Sequence, residues 1–218
     1  MMVLFHGCYD ATYFGLAHFD MLGSPFWTTW RTLIVTLFVF LSGVSLSLGR
    51  TAAAARIDRR HGQLLLAALT VSLVTHLLFG PRWIYFGVLH FYLVASLITR
   101  PLLARGISLW LPGVVLLGLG QLGFAAFDPR WLNWIGMAAD KPATEDYAPL
   151  LPWLGVLWLG SSCGLHPAMA RLGRNAPRLR PDRLLQGLGR HGLLVYLIHQ
   201  PLLFAAFELL LQGTQSAH

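Results

Sequence analysis

Six apolar stretches, each close to the length a helix needs to cross a bilayer, decide most of what this chain can fold into. A hydrocarbon core about 30 Å thick takes roughly 20 predominantly apolar residues in a helix. Runs that meet or approach that length cover residues 27–48, 63–79, 83–98, 107–127, 150–166 and 193–211. The opening stretch, residues 1–19, is a seventh candidate: apolar for five residues, then aromatic and polar. It reads as the exit half of a helix whose entry half lies upstream. Because lipid offers no hydrogen-bond partners to the backbone, such runs must close their own ladders as helices. The pattern predicts an all-α fold, a polytopic transmembrane helix bundle of six clear spans plus a partial first helix, forming a single domain over residues 1–218.

Composition agrees. Hydrophobic residues make up 56% of the chain and charged ones 11%, which removes it from the soluble globular class. A formal charge of +7 would suit nucleic acid only if the basic residues shared a solvated face, and here long apolar runs separate them. No nucleic acid is expected as a partner. Cys8 and Cys163 make neither a disulfide framework nor a metal-ligand spacing, so both read as packing residues and no metal is expected. The first apolar stretch has no basic n-region and no small-residue cleavage site behind it, so no cleavable signal peptide is expected.

Arginine placement gives an orientation, since short cytoplasmic loops collect Lys and Arg. Arg50, Arg56, Arg59 and Arg60 follow the first long run, Arg100 and Arg105 follow the third, and Arg171, Arg174, Arg178, Arg180, Arg183 and Arg190 precede the last. The alternate connections hold Asp20, Arg82, and then Asp128, Asp140, Glu145 and Asp146 against Arg130 and Lys141. The arginine-rich loops should therefore face the cytoplasm. His6, Asp10, His18, Asp20, Asp146 and the C-terminus should approach the outer leaflet. Trp27, Trp30, Trp83, Trp131, Trp134 and Trp153 lie near predicted helix ends, where amphipathic rings favour the interface.

An ionisable side chain at membrane depth is costly and asks for a reason. His6, His76, His90, His191 and His199 qualify. A neighbouring helix's hydroxyl or carbonyl satisfies most single buried histidines, but five together are harder to treat that way. His6 and Asp10 are spaced i, i+4 and share one helix face, so the carboxylate is expected to orient the imidazole for work as a base or nucleophile. The bland alternative is a polar pair closing a helix end at the interface. Arg31, four residues into its run, suits substrate binding and snorkelling equally. In "DYAPLLPWLG", Asp146 and Tyr147 stand just outside a proline-marked helix start, where a carboxylate either binds a sugar hydroxyl or caps the helix. "HQPLL" puts a proline at membrane depth behind His199, freeing a backbone carbonyl. The six arginines of residues 171–190 fit either anionic lipid head groups or the phosphates of a nucleotide-bearing molecule such as coenzyme A.

Five strings, "VLFHGCYDATYFG", "FVFLSGVSLSLGR", "FGVLHFYLVAS", "DYAPLLPWLGVLWLG" and "LGRHGLLVYLIHQPLL", occur in an order and spacing that resembles the bacterial branch of the heparan-α-glucosaminide N-acetyltransferase catalytic-domain family of membrane acyltransferases. The resemblance spans nearly the whole chain. It implies a multi-pass enzyme that takes an acetyl or other acyl group from cytoplasmic acyl-CoA and delivers it to a sugar amine or hydroxyl on the outer side. His6 matches the expected histidine near the end of the first helix, with Asp10 beside it and His18 in the following loop as a second candidate. By the same resemblance, His90 and His199 are expected to line the acyl path; from the residues themselves, Arg31, Asp146 and Tyr147 are expected to bind substrate, and Arg190 and His191 to bind the acyl-CoA donor. Gly192 departs from the family pattern, which has serine there.

The expected setting is the bacterial inner membrane, with the C-terminus outside, an envelope glycan as acceptor, and the lipid bilayer and a second copy of the chain as partners. A transporter or flippase of a small polar or lipid-linked substrate also explains polar groups at membrane depth, but predicts inverted repeats, and the sequence shows none. A membrane scaffold without chemistry predicts that replacing His6 changes nothing.

Overall fold

The computed structural model describes residues 1–21, 23–144, 146–169, 187, 189 and 192–215. Among the described residues the chain is helical, with no strands. Helix α1 covers Met2–Tyr13, α2 Pro25–Leu48, α3 Ala54–Phe79, α4 Val88–Ala104, α5 Trp110–Leu119, α6 Arg130–Asn133, α7 Leu150–Leu165 and α8 Gly192–Gln215. Among the described residues, three helical stretches are long and apolar enough to cross a membrane, Pro25–Leu48, Ala54–Arg82 and Gly192–Gln212. Val88–Ala104, Trp110–Leu119 and Leu150–Leu165 are shorter apolar helices. The helices leave large apolar side chains uncovered: on α3, Leu66, Leu73 and Leu77 are 69%, 62% and 75% exposed. Uncovered leucine at that density on a 26-residue helix belongs to a surface bathed in lipid. The protein is a helical membrane bundle.

Helix ends differ from the apolar runs where backbone chemistry intervenes. The run at 83–98 begins with a non-helical segment, and α4 starts only at Val88. The run at 107–127 forms regular helix only over Trp110–Leu119 and then turns into a long connection. α3 extends upstream of its apolar run to Ala54, carrying Arg56, Arg59 and Arg60 in its first turns.

The contacts fall into two compact units, Met1–Val35 with Asn175–His218, and Thr36–Arg174. In the first unit α1 packs along α8. Tyr13 and Phe14 stack against Phe204, with ring centroids 5.3 and 5.0 Å apart, and Phe14 also lies against Phe207. Phe5 meets Trp27 and Trp30 edge-on, both at 6.0 Å.

In the second unit α7 runs through the middle, packed most extensively on α5 and also against α4 and the later turns of α2. Between helices in lipid no hydrophobic force favours association, so close backbone approach must supply the dispersion energy. Gly155 shows how close: a Cβ there would stand 2.7 Å from the carbonyl oxygen of Gly113 on α5. Gly43 on α2 is tighter still against α7, where a Cβ would collide with the Leu157 carbonyl oxygen and lie 2.8 Å from the amide nitrogen of Ser161. Ser161, fully buried, donates to the carbonyls of Leu157 at 2.9 Å and Gly43 at 3.1 Å, tying the two helices through one hydroxyl. Phe91, Ala95 and Leu157 are fully buried and Val39 and Leu109 nearly so, which places the core where α2, α4, α5 and α7 converge.

Candidate active site: a histidine pair on the first and last helices

α1 presents His6 and Asp10 on one face, as their spacing requires, and α8 meets that face with consecutive residues His199 and Gln200. The Nδ1 atom of His199 lies 2.7 Å from the carbonyl oxygen of Tyr196 on its own helix. A carbonyl only accepts, so this nitrogen carries a proton. In the uncharged ring Nε2 is then an acceptor, and it stands 2.9 Å from Nδ1 of His6. His6 therefore donates through Nδ1 and keeps its Nε2 lone pair uncommitted. The tautomer of the first histidine is thus fixed by a backbone carbonyl one residue beyond it in the chain of hydrogen bonds.

Asp10 is fully buried and takes a hydrogen bond at 2.9 Å from the Gln200 amide through Oδ1. It does not bond His6: the carboxylate expected to orient the imidazole is engaged by the neighbouring glutamine, and His199 does the orienting. Asp10 Oδ2 and Gln200 Oε1 are buried without a hydrogen-bond partner among the described residues. Two buried acceptor oxygens on hydrogen-bonded residues favour a group rich in donors, such as an amine or hydroxyl. Gln200 and Tyr196 were not singled out from the sequence, although both stand in the string "YLIHQP" that carries His199.

His18 lies exposed in the loop after α1, outside this hydrogen-bonded cluster. Arg31 is exposed on α2. Arg190 and His191 lie outside the described residues.

The second unit holds the other expected residues, and their bonds belong to the scaffold. Ser72 gives its hydroxyl proton to the Ile84 carbonyl at 2.7 Å and accepts from Nε2 of His90 at 3.1 Å. The Nδ1 atom of His90 accepts from the Gly87 amide at 3.3 Å, capping the start of α4. Both ring nitrogens are spent, and neither remains for substrate. Asp146 accepts from the Val88 amide at 2.9 Å, so it caps α4 rather than the helix that follows it in sequence. The Tyr147 hydroxyl donates to the Asn133 carbonyl and the Tyr85 hydroxyl to the Asn133 side chain, both at 2.6 Å. Burial, reinforced by the nearby Tyr85, pushes the Tyr147 phenol up to about 12, and burial also raises that of Tyr85. Both stay protonated donors that pin the connection between α5 and α7.

The arrangement that can perform chemistry is the pair of imidazoles beside a buried carboxylate. A family model described as heparan-alpha-glucosaminide N-acetyltransferase, catalytic, matches residues 1–201. No curated protein and no solved structure matches the chain.

Proposed function

The chain belongs to the heparan-alpha-glucosaminide N-acetyltransferase catalytic family, a family of membrane acetyltransferases, and from that footing we propose that it transfers an acetyl or related acyl group from acyl-CoA to a sugar amine or hydroxyl, with His6 as the base. One observation carries the role of His6. Its Nδ1 proton points at His199, whose own proton is held by the Tyr196 carbonyl, so Nε2 of His6 is the free basic atom of the pair.

Catalysis at such a centre follows from that geometry. As the acceptor nitrogen or oxygen bonds to the thioester carbon, its proton passes to Nε2 of His6. The imidazolium charge is shared across the 2.9 Å contact with His199. Collapse of the tetrahedral intermediate breaks the carbon–sulfur bond, and the departing coenzyme A thiolate takes the proton. Asp10, buried next to the pair, offers the counter-charge, and its Oδ2 together with Gln200 Oε1 offers acceptors to the amine or hydroxyl. Arginine distribution favours donor entry from the cytoplasmic face and an acceptor on the outer face of a bacterial inner membrane, with an envelope glycan as the expected acceptor class.

The test is transfer of labelled acetyl from acetyl-CoA to glucosamine-containing acceptors by the purified protein in lipid nanodiscs. Transfer that survives in the wild type and disappears in His6→Ala supports this reading. Wild-type protein that moves a labelled polar solute but never the label itself supports a transporter instead.

A further inference from the structure

A cleft of about 350 Å³ opens in the second unit where α2 ends, α3 begins and α4 ends, and Arg50, Ile57, Asp58, His61, Leu97 and Arg100 are among the residues that line it. It was not read from the sequence, because its basic groups come from the loop after α2, the first turns of α3 and the last turns of α4. α3 and α4 run between it and the Gly80–Gly87 turn, so it sits at the other end of these helices from the capped start of α4. The arginine distribution assigns this end to the cytoplasm.

Its electrostatics lack a partner. Arg100 Nε is buried with no hydrogen-bond acceptor among the described residues. Arg50 spends one nitrogen, Nη1, on the Ser47 carbonyl at 3.1 Å. His61 donates from Nε2 to Ser96 Oγ at 3.0 Å, since that hydroxyl gives its own proton to the Leu93 carbonyl, also at 3.0 Å, and Nδ1 is left as the ring's remaining polar atom. Arg60 lies near enough to act on both His61 and Arg100. The carboxylate of Asp58 also lines the cleft and offsets part of this charge. Like charges held together around a buried, unpaired guanidinium nitrogen are costly unless an anion joins them. Guanidinium forks match the oxygens of phosphate, and the Ile57, Leu97 and Leu103 side chains give the cleft an apolar wall for whatever the phosphate is attached to.

We propose that this cleft is a phosphate-binding site in which Arg50 and Arg100 hold the anion. Two molecules bring such a phosphate to the cytoplasmic surface: the nucleotide portion of an acyl-CoA donor and the head group of an acidic phospholipid. Assigning it to the donor rests on the acyltransferase reading; phosphate binding does not.

Binding of coenzyme A and of 3′-dephospho-coenzyme A to wild type and to R50Q/R100Q in phosphatidylcholine nanodiscs tests the first source. Retention of phosphatidylglycerol by the same two proteins in mixed nanodiscs tests the second. A loss of about ten-fold in coenzyme A affinity, the order expected for one or two lost charged hydrogen bonds, assigns the site to the donor. A comparable loss confined to phosphatidylglycerol assigns it to lipid. Unchanged binding of both overturns the proposal. Should the double variant not purify, hydrogen exchange of wild type decides: slower exchange over residues 50–61 with either molecule supports the site, and no change with both refutes it. Acetyl transfer measured in the same preparations separates the two inferences. Transfer with a cleft indifferent to both probes removes the cleft and leaves the transferase, while phosphate binding without any wild-type transfer does the reverse.

Discussion

His199 and His6 face each other across 2.9 Å, with the far nitrogen of His199 anchored to the Tyr196 carbonyl, so the last helix of the chain sets the protonation pattern of the first. A positioned base contributes about 10²–10⁴-fold, which sets the expected fall in kcat for His6→Ala. His199→Ala removes the group that fixes the tautomer while leaving the base in place. We expect a smaller fall in kcat, on the order of ten- to a hundred-fold, with KM for the donor little changed. Steady-state kinetics of both variants measure the split; a purely structural His199 would instead raise KM and lower yield together.

The order of bond-making is open to initial-rate analysis. Direct transfer through His6 as base predicts intersecting double-reciprocal lines for donor against acceptor. Parallel lines, with hydroxylamine-sensitive label on the protein, would require an acyl-histidine and overturn the base role.

Gln200 donates a hydrogen bond to the buried Asp10 carboxylate, and Gln200→Leu strips Oδ1 of it. A buried group left without its partner costs about 1–3 kcal/mol, so thermal unfolding in detergent should show a clearly lowered Tm, with Asp10→Asn partly restoring it in the double variant.

Tyr147 and Tyr85 have folded-state phenols above the usual value near 10, Tyr147 at about 12. A raised pKa means the folded state holds the proton more tightly, so this contribution is complete below the unfolded value and is lost as pH climbs through the folded one. Stability should fall between about pH 10 and 12, and Tyr147→Phe should flatten that fall while losing the bond to the Asn133 carbonyl at all pH values. Chemical denaturation at stepped alkaline pH reads both effects.

Gly43→Ala places a methyl group against the α7 backbone, which has no side chain to swing away. Overpacking of this kind costs about 1–3 kcal/mol, and a Tm equal to wild type would contradict the close approach of α2 and α7.

Much of the fold was legible because apolar run length reports membrane helices directly; the helix at Leu150–Leu165 ends within one residue of its run. Where glycine and proline cluster the run misleads, as after Leu119, since hydropathy does not register where a ladder of hydrogen bonds stops. His6 and His199 both stood out as imidazoles at membrane depth, but the i, i+4 rule gives a shared face and not a partner. Asp10 faces the same way as His6 and bonds Gln200, 190 positions away. His90 looked identical in kind to His199, and only the positions of Ser72 and Gly87 assign it to a helix cap.

The Asp146 cap on Val88 spans 58 positions of chain. During synthesis α4 leaves the ribosome before the carboxylate that caps its first turn does. The start of α4 is therefore capped only once the loop that follows α5 has emerged.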